Sequence, residues 1–363
     1  MGRVTLQTIA EHVGVSRMTV SNAFSRPDQL SAKLRDRILA VAEELGYGGP
    51  DPTARALASG TAGTVGVLLS ETLTYSLTDE VAMAFLAGIS DELAATGLSL
   101  TLLSAAPEGD IVPARDVAID GAIVYSCNPD SSAVSWLMRR RLPLVFVDQA
   151  PAPGITSINV DDRLGARAAA EHVIDLGHRQ VAIVTTGFAG DFGLLTDPLA
   201  ADTAHTERQR LLGWLDALDV AGITPTVVRL PHENPDAIGY GAAETLLAND
   251  ERPTAILCFS DAIARGVIRA IQDAGLQVPD DVSVVGFDDN PISRRISPAL
   301  TTVRQDVDAK GRAAATALML AITRAKTRPA GRARHLVLPT ELVTRNSTTA
   351  VRSSAAAARR PAR

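Results

Sequence analysis

From Thr64 onward the chain alternates short, nearly continuous apolar runs with amphipathic stretches of helical length. The runs are TVGVLLS (64–70), LSLTLLS (98–104), GAIVYS (121–126), LPLVFVD (142–148), QVAIVTT (180–186), PTVVRL (225–230), TAILCFS (254–260) and VSVVGFDD (282–289). Helical patterns occupy 79–96, 131–141, 163–177, 206–221, 236–249, 261–275 and 306–324. A strand with one wetted face alternates apolar and polar residues, whereas a strand apolar throughout must be covered on both faces. The alternation therefore predicts an α/β fold of parallel sheets flanked by helices. So many units exceed a single sheet, and two sheets are expected across 64–345. The hydrophobic content of 46% with 21% charged residues suits a globular chain of this kind.

Residues 1–48 follow a different rule. Thr5 caps a helix over 6–12 with Leu6, Ile9, Ala10 and Val13 on one face. Gly14 supplies a turn, and Ser16 caps a second helix over 17–24 whose Val20 and Ala23 face inward. Ser31 caps a third over 32–45, which Gly46 ends. Two short helices about a glycine turn, braced by a third, form a helix-turn-helix unit. The inward set leaves Arg17, Met18, Ser21 and Asn22 outward near the start of the second helix, the end that enters a major groove. Arg pairs with guanine, Asn with adenine, and Met packs on a thymine methyl. Thr5, Ser16, Thr19 and Ser21 suit phosphate, which positions a module without reading sequence. The same helices with a merely polar surface would make a plain three-helix bundle.

Charge decides little between these readings. Residues 1–63 carry seven Lys/Arg against six Asp/Glu, residues 64–323 carry 18 against 34, and residues 324–363 carry ten against one. An acidic body confines any nucleic-acid contact to a small face. No run approaches the roughly 18 apolar residues of a membrane span, and MGRVTLQTIAEHV is no apolar leader, so a cytoplasmic protein is expected. Cys127 and Cys258 sit in apolar runs and read as small buried hydrophobes, without a disulfide or zinc framework. Neither cofactor nor metal is called for.

The string VTLQTIAEHVGVSRMTVSNAFSRPDQLSAKLRDRILAVAEELGY, from Val4 to Tyr47, resembles the headpiece of the LacI/GalR (lac repressor) family without a gap. Its core A-x-x-x-G-V-S-x-x-T-V-S stands here as Ala10, Gly14, Val15, Ser16, Thr19, Val20 and Ser21. The resemblance implies base reading by Arg17, Met18 and Asn22; the family often has Arg where this chain has Asn22. In the linker 49–63, Asp51 and Pro52 open a short helix, TARALAS, too short to be stable alone. It resembles the family's hinge helix, which implies Ala54 and Leu57 in a minor groove, with Leu57 as a wedge.

Beyond the linker, DLGHRQVAIV (175–184), ERQRLLGW (207–214), FSDAIARGVIRAIQDAGLQVPDDVSVVGFDD (259–289) and PALTTVRQD (298–306) resemble the periplasmic-binding-protein-like core of the same family. That core is expected to divide into one half of about 64–162 and 291–323 and another of about 163–290 and 324–345, with 346–363 a disordered basic tail. Ser70, Asp148, Ser260–Asp261 and Asp288–Asp289 end apolar strands, where open α/β sheets place ligands. The resemblance implies effector contacts at Arg210 and Asp288, with Asp261 at a matching junction and Ser260 replacing a frequent Asn. Asp261 also reads as a simple helix cap. Tyr75 is an aromatic placed to stack on a ring, while Phe287 sits in a strand and reads as core. The candidate effector set is Ser70, Tyr75, Asp148, Arg210, Asp261 and Asp288.

No P-loop, G-x-S-x-G, H-E-x-x-H or Cys/His pairing appears, and His172 and His178 read as structural, which argues against an enzyme. A transport-type sugar receptor fits the core but not the headpiece. The expectation is a homodimeric repressor on a pseudo-palindromic DNA operator, controlled by a small-molecule effector. A sugar or glycoside is the first reading, and a purine or nucleoside acting as corepressor is the alternative. The segment 187–206 matches no pattern of sugar repressors and is long for a connection.

Overall fold

The computed structural model describes residues 4–49, 51, 56–57, 60–105, 112–128, 130–187, 192–199, 204–231, 235–249, 251–327 and 333–351. The chain divides at Gly63 into two compact units. The first contains α1 (Leu6–Val13), α2 (Arg17–Ser25) and α3 (Ala32–Glu44). Thr5 and Thr8 cap α1 reciprocally, while the Ser16 and Ser31 hydroxyls accept from Thr19 N and Leu34 N. Gly14 adopts φ 76°, the left-handed turn that reverses the chain between α1 and α2. Ile9, Val13, Val20, Ala23, Ile38 and Ala42 close the core, with Phe24 edge-on to Tyr47 at 5.7 Å. The helices fall where capping residues and apolar spacing place them.

The second unit begins with β1 (Thr64–Leu69), α4 (Leu73–Ser76), α5 (Glu80–Leu93), β2 (Ser99–Ser104), α6 (Pro113–Asp116), β3 (Ala122–Tyr125), α7 (Ser132–Arg139), β4 (Leu144–Val147) and β5 (Thr156–Val160). It continues with α8 (Asp162–Asp175), β6 (Val181–Gly187), β7 (Gly193–Leu194), α9 (His205–Val220), β8 (Thr226–Pro231), α10 (Pro235–Leu247), β9 (Ala255–Cys258), α11 (Asp261–Asp273), β10 (Ser283–Asp288), α12 (Ile292–Arg295) and β11 (Thr301–Gln305). It ends with α13 (Val307–Thr327), β12 (His335–Leu338) and β13 (Thr340–Val343).

The strands form two sheets. One has the order β12-β5-β4-β3-β1-β2 and is parallel throughout. The other has the order β13-β11-β10-β9-β6-β8-β7, with only its edge strands β13 and β7 antiparallel. Both are covered on both faces, as continuous apolar strands require. Phe85, Ile89 and Leu318 of α5 and α13 lie on one side of the first sheet, with Ala114, Val134 and Leu137 of α6 and α7 on the other. In the second sheet, α10 and α11 pack opposite α8 and α9, whose Trp214 is fully buried. At the α5–α13 crossing, a Cβ on Gly88 would sit 2.5 Å from the Asp308 carbonyl, so the helices approach only because that residue is Gly.

Two expectations about the core are corrected. β11 pairs with β10, so residues 291–305 stay with the second sheet, and the chain returns to the first only after Asp306. Conversely, residues 335–338 pair with β5 in the first sheet. The strands TTVRQ and TELV lack the continuous apolar runs that marked the others, and HLVL carries a run of only three residues, so this exchange was hidden. The halves are thus joined by three adjacent strand connections, near Asp161, Asp306 and Pro339. The Asp161 carboxylate accepts from Leu164 N, and Thr340 Oγ1 donates to the Asp161 carbonyl at 2.9 Å.

The supposed tail is also docked as far as Val351; residues 352–363 lie outside the described ones. Ser347 is fully buried and donates to the Val284 carbonyl at 2.6 Å while accepting from Thr301 N at 2.8 Å. His172 reaches Thr348 Oγ1 and His178 meets the Thr349 carbonyl, so both histidines hold this segment in place. Polar anchoring leaves no apolar period to read. Cys127 and Cys258 are buried.

Candidate functional site

On the first unit, Arg17 and Met18 open α2 and face solvent, Met18 with 70% of its surface exposed. An apolar side chain held out on a polar helix end is a surface suited to contact. Asn22 stands one turn further along, half-buried, its amide donating to Gln29 Oε1 at 3.2 Å. Ser16 Oγ and Thr19 Oγ1 are 2.8 Å apart at the start of α2, and Thr5 lies at the start of α1. Half-buried Ser21 offers its carbonyl to Ser25 Oγ. Of the hydroxyls proposed for phosphate, those of Thr5 and Ser16 thus serve first as helix caps, at helix ends whose N–H groups favour anions. Ala54 lies outside the described residues, whereas Leu57 is 87% exposed.

On the second unit, a cleft of about 140 Å³ opens at the carboxyl ends of the two sheets. Ser70, Tyr75, Asp148, Arg210 and Asp288 all line it. Asp148 and Asp288 end their strands at φ 55° and 116°, backbone settings rare for residues with a Cβ and concentrated at functional sites. Asp261 is placed elsewhere. It is wholly buried, accepts from Thr302 Oγ1 at 2.5 Å and Asn290 N at 3.0 Å, and ties α11 to the strands behind the cleft. Burial pushes its carboxyl well above the usual range. Ser260, not Asp261, caps α11 and faces the cleft. Phe287 is core, its ring 3.6 Å from the Arg210 guanidinium.

Arg210 on α9 donates to Asp162 Oδ1 at 2.8 Å, the Phe259 carbonyl at 2.5 Å and Asp288 Oδ1 at 3.3 Å. Gln305 Nε2 donates to the same Asp288 oxygen at 2.7 Å. Gln305 Oε1 accepts from Lys310 Nζ at 2.8 Å, and Lys310 reaches Asp148 Oδ2 at 2.6 Å. A buried chain of charged groups, bridged by the neutral Gln305 amide, therefore runs Asp148–Lys310–Gln305–Asp288–Arg210–Asp162 and joins the two halves of the core at the cleft floor. Even with Arg210 beside them, burial holds Asp162 and Asp288 up at about 6. Asp148 lines the cleft, and its Oδ1 is buried without a hydrogen-bond partner among the described residues.

Sequence reasoning missed Lys310, Glu71, Asp79 and the Glu207–Arg229 pair. Lys310 had a signal: it lies between Ala309 and Gly311 on the close-packed face of α13, where a long side chain must turn inward. Glu71 follows β1 and lines the cleft, and burial raises its carboxyl from 4.5 to about 7. Between those values the folded protein holds a proton that the unfolded chain has released, so this group's contribution to stability falls as pH rises, then levels above 7. Glu71→Gln should remove that slope. In urea melts from pH 4.5 to 8, the stability difference should move in the variant's favour up to about pH 7 and then stay constant. A difference independent of pH would refute the assignment.

Among the described residues, no group of three or more His, Cys, Asp or Glu could hold a metal ion, and no helix is long and apolar enough to cross a membrane.

The family model for bacterial regulatory proteins of the lacI family matches residues 5–49, and that for a periplasmic binding protein-like domain matches residues 170–348. An HTH-type transcriptional regulator of Mycolicibacterium smegmatis is 38% identical over 86% of this chain and 89% of its own length. The HTH-type transcriptional regulator IpsA of Corynebacterium glutamicum is 37% identical over 90% of this chain and 93% of its own. Among solved structures, the lac repressor dimer bound to operator and the anti-inducer ONPF superposes with a TM-score of 0.75 at 28% identity, covering 96% of this chain and all of that one.

Proposed function

Because this chain belongs to the LacI family of bacterial regulatory proteins, it is a DNA-binding transcriptional regulator and not an enzyme, and we propose that it is a cytoplasmic homodimeric repressor released from its operator by a small neutral sugar or glycoside. The observation that carries this reading is the charge chain across the cleft floor, from Asp148 in one half to Arg210 and Asp162 in the other. A polyol seated there meets acceptors from both halves: the unpartnered Asp148 Oδ1 on one side and Asp288 on the other. Arg210 has five N–H donors, of which three are engaged by protein groups among the described residues. Binding that prefers one spacing of these groups over another shifts the relative angle of the halves about the three connections. In a dimer, that angle sets the separation of the two linkers, and hence of the two headpieces. Arg17, Met18 and Asn22 read bases, Thr5, Ser16, Thr19 and Ser21 hold phosphates, and Ala54 and Leu57 enter the minor groove between half-sites.

Tyr75 on the cleft wall favours a second reading, a purine or nucleoside stacked on its ring. Thermal melting of the full-length protein with D-glucose, D-galactose, D-ribose, cellobiose or adenosine separates the two. A sugar that raises Tm and weakens DNA binding supports the first reading. Adenosine that raises Tm and tightens DNA binding replaces it with the second, and no shift with any of the five counts against both.

A further inference from the structure

Glu207 and Arg229 form a buried ion pair in the cleft wall that the charge chain does not use. Glu207 lies in the first turn of α9, three residues before Arg210, so both side chains leave the helix on the same face. Arg210 is engaged by Asp162, Asp288 and the Phe259 carbonyl, whereas among the described charged groups Glu207 pairs with Arg229, Nε to Oε1 at 2.9 Å. The two are 2% and 1% exposed, and although Arg229 Nε lies 2.9 Å from Glu207 Oε1, neither of these atoms nor Arg229 Nη1 makes a well-directed hydrogen bond among the described residues. Thr206 Oγ1, next in the chain and also buried, lacks one too. Glu207 and Thr206 line the cleft. Burying polar atoms without partners costs stability, so their retention points to a ligand that satisfies them.

The surroundings are built for this placement. A Cβ on Gly187, at the end of β6, would overlap the Arg229 guanidinium, so only glycine there lets the arginine lie beneath the strand end. The Phe192 ring lies 5.8 Å from the guanidinium carbon. Burial raises the Glu207 carboxyl from 4.5 to about 7, so above that pH the group held this way presents an acceptor to the cleft.

We infer that Glu207, positioned by Arg229, is a specificity-determining contact that accepts a hydroxyl hydrogen of the effector, with Thr206 beside it. The inference rests on the effector-cleft reading above. It adds a ligand requirement: one particular hydroxyl must face α9, on the wall opposite Asp148. An anionic group there would meet Glu207 and be excluded.

The test uses the full-length protein and whichever of D-glucose, D-galactose, D-ribose or cellobiose raises its Tm, together with the set of monodeoxy analogues of that sugar. Glu207→Gln is expected to weaken the parent sugar by about tenfold or more, the scale of a lost hydrogen bond to a charged group. One monodeoxy analogue should bind wild type that much more weakly and lose nothing further in the variant. Arg229→Met should reproduce the loss at the same hydroxyl, and Arg229→Lys should restore part of it. If Glu207→Gln does not fold, Thr206→Val should show the same hydroxyl-specific loss. Equal weakening of every analogue, or none, overturns the inference while leaving the effector reading standing. Failure of all four sugars to shift wild-type Tm overturns both.

Discussion

Arg210→Met is expected to cost the core about 3–5 kcal/mol of stability at pH 7.5, the scale seen when one partner of a buried ion pair is removed. Arg210 touches two buried carboxylates, Asp162 at 2.8 Å and Asp288 at 3.3 Å, and it also satisfies the Phe259 carbonyl at 2.5 Å. Met fills the volume between Phe259 and Phe287 but replaces none of these bonds. Asp162 and Asp288 stand at about 6 with the arginine present, because its attraction offsets part of the burial penalty. Without that attraction both values rise further. In the window just above 6, the variant's folded state then holds protons that wild type has released. The deficit should therefore shrink as pH falls from 8 towards 6, and stay level below. Urea denaturation across that range measures it. A loss under about 1 kcal/mol, of the size expected at an exposed site, would contradict the charge-chain account.

The other large effect falls on DNA. Arg17→Ala and Asn22→Ala should each cost about 1–3 kcal/mol per half-site, the worth of one bidentate base contact. A symmetric dimer carries each substitution twice, so operator affinity should fall by roughly tenfold to a hundredfold for each half-site engaged. Arg17 is exposed and ready, while the Asn22 amide donates to Gln29, so the Asn22 loss belongs at the lower end. The two should also differ in kind. Asn22→Ala removes no charge, so it should relax discrimination at one base pair and leave the salt dependence unchanged. Fluorescence anisotropy on operator and scrambled duplexes at several salt concentrations checks both. Equal losses on the two duplexes would mean that these residues hold the backbone and do not read bases.

How much of this was legible in the sequence depends on how each residue does its work. Side chains that act through local geometry announce themselves. Thr5, Ser16 and Ser31 cap helices within three residues, and Gly14 must take a positive φ, so the headpiece could be drawn residue by residue. Strands such as VAIVTT, covered on both faces, were equally plain. The strands that exchange between the halves were not, because TTVRQ and TELV are short and rich in polar residues and carry Gln305 and Glu341 close to where the chain crosses. Asp261 shows the limit at the site. A carboxylate after an apolar strand looks the same in sequence whether it faces the cleft or, as here, turns behind it to Thr302 and Asn290. Lys310, Glu207 and Arg229 were missed because their partners stand far away in the chain, 162 residues away for Lys310 and Asp148. No local period encodes such a pairing.

A homodimer of this chain is expected to read an inverted repeat of DNA under control of its cleft. Selection of full-length protein on a pool of random duplexes, with sequencing of the bound fraction, tests it most directly. The expected result is enrichment of a pseudo-palindrome with two half-sites, abolished when Arg17 and Asn22 are both replaced by Ala and reduced by the sugar that raises Tm. A bound fraction no different from the starting pool, or one enriched in a single unrepeated site, would contradict it.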